Sequence, residues 1–414
     1  MATLANVVSV AGNNAGDSFC AVLSTGHVDC WGENVHGELG SGTTTNSDVP
    51  VAAVGISKAT AVTSGSDGDG FCAVLSTGHV DCWGDGGLGG LGDGTTTNSD
   101  VPVAVKNIST ATVVTSGNDG DGFCAVLSTG HVDCWGYNAY GELGNGTTTN
   151  SDVPVAVRTI GHAKAVMGGR YNFCALLSTG HVDCWGYNGD GELGNGTTTN
   201  SDVPVAVQTV GNAKALIGNG GGNFCAVLST GDVDCWGYNG DGQLGNGTAM
   251  DSDVPMAAIG ISTAIAVSGG GLDVCALLST SHVDCWGYNY YGELGNGTTT
   301  SSGSDVPVAV KNISTATSVT DGLYGACAVL STGHVDCWGY NRYGELGNGT
   351  TTNSDVPVAV HVIGNAAAVI AGLHDFCALL STGHVDCWGY NAYGELGNGT
   401  TANSDVPVAV LAVS

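Results

Sequence analysis

Apolar and polar positions along this chain fall into short β-type runs, each closed by a glycine-rich turn. One stretch shows the pattern. Ala111-Thr-Val-Val-Thr-Ser116 is a β-branched run, followed by Gly117-Asn-Asp-Gly-Asp-Gly122. Phe123 to Leu127 and His131 to Trp135 are two more runs, separated by Ser128-Thr129-Gly130. Val153-Pro154-Val155-Ala156-Val157 is a fourth. Runs of this length bounded by Gly, Asn and Ser read as strands. The Ser-Thr-Gly spacer predicts a three-residue hairpin loop, a type I turn closed by a left-handed glycine. Pro154 has no N–H to give to a ladder, which places the fourth strand at an edge.

The whole pattern then repeats. Its first cysteine recurs at Cys20, Cys72, Cys124, Cys174, Cys225, Cys275, Cys327 and Cys377, in steps of 52, 52, 50, 51, 50, 52 and 50 residues. A fixed period of that size means one supersecondary unit stacked many times. Four short antiparallel strands per unit, with no helical period, predict an all-β fold: a β-propeller of four-stranded blades. The connection Lys106 to Thr110 fits the radial arrangement, since five extended residues reach about 17 Å and three strand spacings take up about 14 Å. Blades are expected over 4–54, 57–105, 109–157, 160–207, 210–259, 261–310, 313–360 and 363–410, as one repeat domain over 1–414. The segment from Gly136 to Asp152 is too long for a hairpin loop, so a folded excursion is expected there.

The phrase Cys-Ala-Val-Leu-Ser-Thr-Gly-His-Val-Asp-Cys-Trp-Gly-Tyr-Asn-Ala-Tyr-Gly-Glu-Leu-Gly-Asn-Gly, read from Cys124 to Gly146, resembles the regulator of chromosome condensation repeat. It looks most like the cysteine-bearing bacterial version. The resemblance implies a propeller, of seven blades as a rule. This chain has eight copies, and eight blades closed in one ring are expected. Glu142 and Glu192 stand where the family usually has Gln, and the second copy is reduced to Asp85-Gly-Gly-Leu-Gly-Gly-Leu91.

Sixteen cysteines form eight pairs of the form Cys-x9-Cys. Cys20 goes with Cys30, Cys72 with Cys82, Cys124 with Cys134 and Cys174 with Cys184. Cys225 goes with Cys235, Cys275 with Cys285, Cys327 with Cys337 and Cys377 with Cys387. Counting out from the turn sets Cys124 opposite Cys134 at a non-hydrogen-bonded site, where Cα atoms approach to about 4.5 Å. We read the pairs as cross-strand disulfides formed in an oxidising compartment. Buried thiols acting as small hydrophobes are the alternative, and zinc a third without any Cys-x-x-Cys to support it.

Charge narrows the partners. Lys and Arg total 8 against 37 Asp and Glu, giving a net charge of −29. So few bases cannot neutralise a phosphate backbone, which argues against nucleic acid. No run of 18 apolar residues exists, so no membrane-inserting helix is expected. The first residues have no basic n-region and do not read as a signal peptide. The expected location is extracellular or on the cell surface.

Repeated polar residues have plain structural readings. His27, His79, His131, His181, His282, His334 and His384 follow the turn, one per blade and too far apart to share an ion. The eight Trp read as packing between blades. Asn-Gly-Thr, at Asn145 and its equivalents, reads as turn chemistry. Asp67, Asp69, Asp119 and Asp121 lie in Asp-Gly-Asp-Gly turns whose carboxylates suit calcium, although their spacing completes no calcium loop. They are retained as calcium candidates, and no other cofactor is expected. No catalytic constellation breaks the repeat.

Variation gathers in two places, the loop before the first cysteine and the residues after Trp-Gly. The first and third connections of a four-stranded meander emerge on the same side, which puts both sets on one rim. That rim carries Tyr140, Tyr171, Tyr290, Tyr291, Tyr324, Tyr343 and Tyr393. Tyr-rich loops on a rigid scaffold suit recognition. The expected function is a non-catalytic scaffold that binds a protein or glycan through this rim. Rivals are a structural subunit self-assembling head to tail into a surface layer or fibre, and an exchange factor or enzyme.

Overall fold

The Ser-Thr-Gly turn organises each unit. In the third copy Gly130 takes φ 79°, its N–H reaches the Leu127 carbonyl at 2.8 Å, and Leu127 N–H reaches the His131 carbonyl at 2.9 Å. The sixth copy has Ser281 in place of glycine, and Ser281 adopts the same left-handed backbone at φ 62°. From that turn the register runs Val126 opposite Val132, Cys124 opposite Cys134 and Phe123 opposite Trp135.

The computed structural model describes residues 2–12, 17–65, 70–117 and 122–412. These form eight four-stranded antiparallel sheets, each built from four consecutive strands. The third blade holds Ala111–Ser116, Gly122–Leu127, Val132–Gly136 and Ser151–Ala156. Its last strand starts two residues before the expected Val153. Gly136 pairs with Ser151 across a bulge, and Ser151 Oγ donates to the Val153 carbonyl at 2.7 Å. Pro154 sits on this outermost edge strand, where no further strand asks for its missing N–H. A 3₁₀ turn, Gly87–Gly89, occupies the reduced loop of the second copy.

Each core lies between neighbouring blades. Cys72, Val80, Cys82, Leu91, Val105 and Ile108 of the second blade pack on Ala111, Val114, Phe123 and Trp135 of the third. Middle strands are therefore buried on both faces, while the fourth strands are half-buried. The same seam closes the ring: Leu4, Val7, Phe19 and Trp31 pack on Val385, Leu396 and Val410. Thr3 bridges Leu411, and Leu4 N–H donates to the Val410 carbonyl at 2.8 Å. The terminal blades thus pair with each other, and the chain forms an eight-bladed β-propeller.

All eight Cys-x9-Cys pairs are disulfides, and no cysteine is free. In the first four blades Cys20 bonds to Cys30, Cys72 to Cys82, Cys124 to Cys134 and Cys174 to Cys184. In the last four Cys225 bonds to Cys235, Cys275 to Cys285, Cys327 to Cys337 and Cys377 to Cys387. Their Cα atoms lie 4.0 to 4.1 Å apart, closer than the expected 4.5 Å. Each pair sits on the two middle strands, so each staples its own hairpin. The thiol and zinc alternatives are thereby set aside.

The long third connection is a compact coil that reaches the next blade. Asn138 Oδ1 accepts from Leu143 N–H at 2.9 Å, and Asn138 Nδ2 donates to the carbonyls of Thr147 and Thr149. Its Gly146 N–H donates to the Asp202 carbonyl of the next outer strand at 2.7 Å. Trp185 of the next blade donates its indole N–H to the Glu142 carbonyl, also at 2.7 Å. Equivalent indole bonds run right round, ending with Trp31 to Glu395.

Candidate functional site

All 13 tyrosines of the chain belong to the first and third connections of blades three to eight, with Tyr288 on the extended strand end that leads into one. Both loop sets open on one face, and their rings meet. Tyr171, from a first connection, packs on Tyr137 and Tyr140 with centroids 6.1 and 5.7 Å away. Tyr140 also meets Tyr187 of the next blade edge-on at 5.2 Å. A longer arc crosses blades six to eight. It runs from Tyr288 through Tyr290, Tyr291 and Tyr340 to Tyr343, Tyr390 and Tyr393, with successive centroids 4.8 to 6.4 Å apart. Tyr324 and His374 join it, stacked on each other at 5.8 Å. Edge-to-face contacts of this kind fix ring orientation. Tyr290 keeps 54% of its surface exposed, Tyr393 38% and Tyr140 36%. Tyr171, Tyr291, Tyr324 and Tyr343 are half-buried by their neighbours.

A buried acid lies under most of these loops. Glu142 Oε2 accepts from Tyr140 N–H at 2.9 Å, Glu293 from Tyr291 at 2.8 Å, Glu345 from Tyr343 at 2.7 Å and Glu395 from Tyr393 at 2.9 Å. The carboxyl thus holds the backbone that presents each ring. Burial pushes Glu142, Glu192, Glu293, Glu345 and Glu395 up to about 7, against the pull of those N–H groups. In the fifth blade Gln243 replaces the acid with a neutral amide, accepting from Asp241 N–H at 2.9 Å. Nearby, Asp273 and Asp321 are fully buried beside each other, and desolvation holds both carboxyls well above the usual range. Asp375 is raised likewise by burial, with Glu395 and Asp17 adding repulsion. Burial lowers His374, favouring its neutral form within the ring cluster.

The tyrosine face is interrupted in blades four and five. These read Gly189-Asp190 and Gly240-Asp241 where the third, seventh and eighth carry Ala139-Tyr140, Arg342-Tyr343 and Ala392-Tyr393. A cavity of about 400 Å³ opens there, lined by Tyr140, Tyr171, Tyr187, Tyr238, Arg170 and Asp190, together with Glu192 and Gly220 to Gly222.

The sequence profile of the Regulator of chromosome condensation (RCC1) repeat matches residues 25–75, 129–176, 179–228, 332–379 and 382–414, and a second profile of that repeat matches 164–192. The chain belongs to the RCC1 repeat family. It is 29% identical over 163 residues to the E3 ubiquitin-protein ligase HERC2 of Homo sapiens, a match covering 37% of this chain and 3% of that protein. It is 32% identical over 150 residues to the ultraviolet-B receptor UVR8 of Arabidopsis thaliana, covering 35% of this chain and 33% of the receptor. The matches thus span a third or less of these relatives. Among solved structures, Prp20p from Saccharomyces cerevisiae, described with its binding to Gsp1p and histones, superposes with a TM-score of 0.64 at 19% identity. That match covers 89% of this chain and 90% of Prp20p. Human WBSCR16 gives 0.63 at 21% identity, over 76% and 85%. At such identities the likeness is one of fold.

Within this RCC1 repeat propeller, the seven rim tyrosines fall in two groups rather than one continuous belt. Sequence reasoning misses Tyr137, Tyr187, Tyr238, Tyr288, Tyr340 and Tyr390, because their place after Trp-Gly recurs in six copies and looks structural. Arg170, Asp190 and His374 fall within the variable rim loops read from the sequence, and Glu192 is noted there as a departure from the family's Gln, but none of the four is singled out as a site residue. The turn histidines make local contacts, such as His131 Nδ1 to Thr129 Oγ1 at 3.0 Å. Asn145 Oδ1 accepts from Thr147 N–H and Oγ1, the turn chemistry expected of Asn-Gly-Thr. Asp67, Asp69, Asp119 and Asp121 lie outside the described residues. Among the described residues no cluster of three or more His, Cys, Asp or Glu is placed to hold a metal.

Proposed function

We propose that this RCC1 repeat propeller is a non-catalytic binding scaffold working in an oxidising, extracytoplasmic setting, and that it takes a protein partner on its tyrosine arc. The observation that carries this reading is the confinement of every tyrosine to one face, ordered by ring contacts and by buried acids beneath the loops. Large amphipathic rings already held in place lose little entropy on contact, which is what binding hot spots require. The other face carries near-identical Ser-Thr-Gly turns beside the linkers between blades, and no tyrosine. Eight disulfides support the oxidising setting. Prp20p, similar in fold, is described as binding Gsp1p and histones, which supports protein recognition by analogy only.

The test is affinity capture from the protein's native medium, comparing wild type with the double variant Tyr290→Ala plus Tyr393→Ala. Both rings are exposed towards the ends of the arc, so their loss spares the core. The double variant should capture its specific partner at least about tenfold less well, as hot-spot truncations do. Undiminished capture, combined with loss on changing the Ser-Thr-Gly turns, would move the binding face to the opposite side.

A further inference from the structure

We propose that the cavity spanning blades three to five is a carbohydrate site for a neutral pyranose sugar, held between tyrosine rings and bonded by Asp190 and Arg170. The proposal rests on the reading of this face as the binding face, but names a different ligand and a different part of it.

The cavity is written into the sequence by several coordinated departures from the repeat. Tyr140, Tyr291 and Tyr343 are equivalent positions in blades three, six and seven. Each reaches the next blade's tyrosine: Tyr140 meets Tyr187 at 5.2 Å, Tyr291 meets Tyr340 at 4.9 Å, and Tyr343 meets Tyr390 at 5.1 Å. Asp190 and Asp241 take that place in blades four and five, so no ring fills the space before Tyr238. The preceding glycines matter as much. A Cβ on Gly189 or Gly240 would collide with the hydroxyl of Tyr187 or Tyr238, so both rings fold back over bare backbone. The first connection of blade five supplies Gly220, Gly221 and Gly222, where neighbouring blades bring Tyr171 and Leu272.

The lining selects the ligand class. A volume of about 400 Å³ falls within the usual small-ligand range of about 300–1,000 Å³. The tyrosine rings offer electron-rich faces, suited to the polarised C–H patch of a pyranose. Asp190 brings acceptors, Arg170 beside it carries more N–H donors than one partner uses, and vicinal hydroxyls can pair with both. Anionic sugars are disfavoured: Asp190 and Asp251 repel each other here, and Asp241 and Glu192 lie close by. A cationic side chain would meet Arg170, whose charge already acts on Asp190. A neutral polyol uses both charges and opposes neither.

The experiment is isothermal titration of the full-length oxidised protein with maltotetraose, cellotetraose, mannotetraose and chitotetraose. A glycine–lysine peptide serves as the counter-probe. At least one neutral saccharide should saturate, with a Kd unchanged from about 50 to about 500 mM NaCl. Asp190→Tyr restores the rim residue of the other tyrosine-bearing blades and should weaken that saccharide about tenfold or more. Asp190→Asn keeps the shape, loses the charge-assisted bond and should weaken it severalfold. Tyr238→Ala tests the opposite wall without relying on the Asp190 variants' folding, and an unchanged thermal midpoint shows each variant intact. No saturation by any neutral saccharide, undiminished binding by Asp190→Tyr and Tyr238→Ala, or salt-sensitive binding of the lysine peptide alone would each overturn the proposal. None of these outcomes touches the capture test on Tyr290 and Tyr393, so the two readings fail separately.

Discussion

Replacing one buried glutamate by glutamine should stabilise the propeller in alkaline solution and do little in acid. Glu142 is 3% exposed, and burial raises its carboxyl from 4.5 to about 7. Below about pH 4.5 both folded and unfolded chains hold the proton, and the carboxyl's contribution is at its best. Between about 4.5 and 7 the folded chain keeps a proton that the unfolded chain releases, so stability falls as pH rises. Above about 7 the loss is complete. At about 1.4 kcal/mol for each pKa unit, the loss is at most about 3.5 kcal/mol for this one group. Glu142→Gln removes the titration and keeps the acceptor, as Gln243 shows by taking Asp241 N–H at 2.9 Å. The amide NH₂ finds no partner at Gln243, and Glu142 Oε1 has none either, so the exchange is close to even in acid. Urea midpoints at about pH 4 and about pH 8.5 measure the effect. We expect a change within about 0.5 kcal/mol at the lower pH and a gain of about 3 kcal/mol at the higher. A loss of stability at pH 8.5 would refute the reasoning, because it would mean that the N–H groups hold the ionised carboxylate.

Other consequences follow from the seams and staples. Thiol titration of the denatured, unreduced protein should find no free thiol, in keeping with its eight disulfides; each closes a short loop worth about 2–3 kcal/mol by chain entropy, so reductant should lower the thermal midpoint markedly. Trp83→Phe leaves the buried Glu38 carbonyl without its 2.7 Å indole bond and should cost about 2–3 kcal/mol in urea unfolding. Truncating Tyr291 and Tyr343 together to Ala should cost about 1–2 kcal/mol as well as affinity, because both rings are half-buried in edge-to-face contacts, and calorimetry would register the stability loss.

The fold was legible because each blade repeats the same evidence. Ser-Thr-Gly fixes a hairpin register, the register places Cys124 opposite Cys134, and Pro154 marks the edge strand; all three are local. The bridging part of the third connection was not legible. Its Gly146 bond to Asp202 and the indole bond from Trp185 to Glu142 join residues more than forty positions apart, and no local pattern encodes them. The tyrosine face was half legible. Variable positions such as Tyr291 stood out against the repeat, whereas Tyr340 was hidden by its own regularity. The burial of Glu142 was not legible, because it arises only when the coil folds back beneath Tyr140.

Every blade is one continuous stretch of chain, and the seam between the last blade and the first uses the same indole bond as the rest. The propeller therefore has no privileged starting point. A circular permutant opened between Gly55 and Lys58, with the present termini joined near Thr3 and Leu411, keeps every strand pairing and cuts only a linker between blades. Rotating the gene through the ring in this way would bring the chain ends out beside any chosen Ser-Thr-Gly turn, so a fused domain would hang on the face opposite the tyrosines and leave them open.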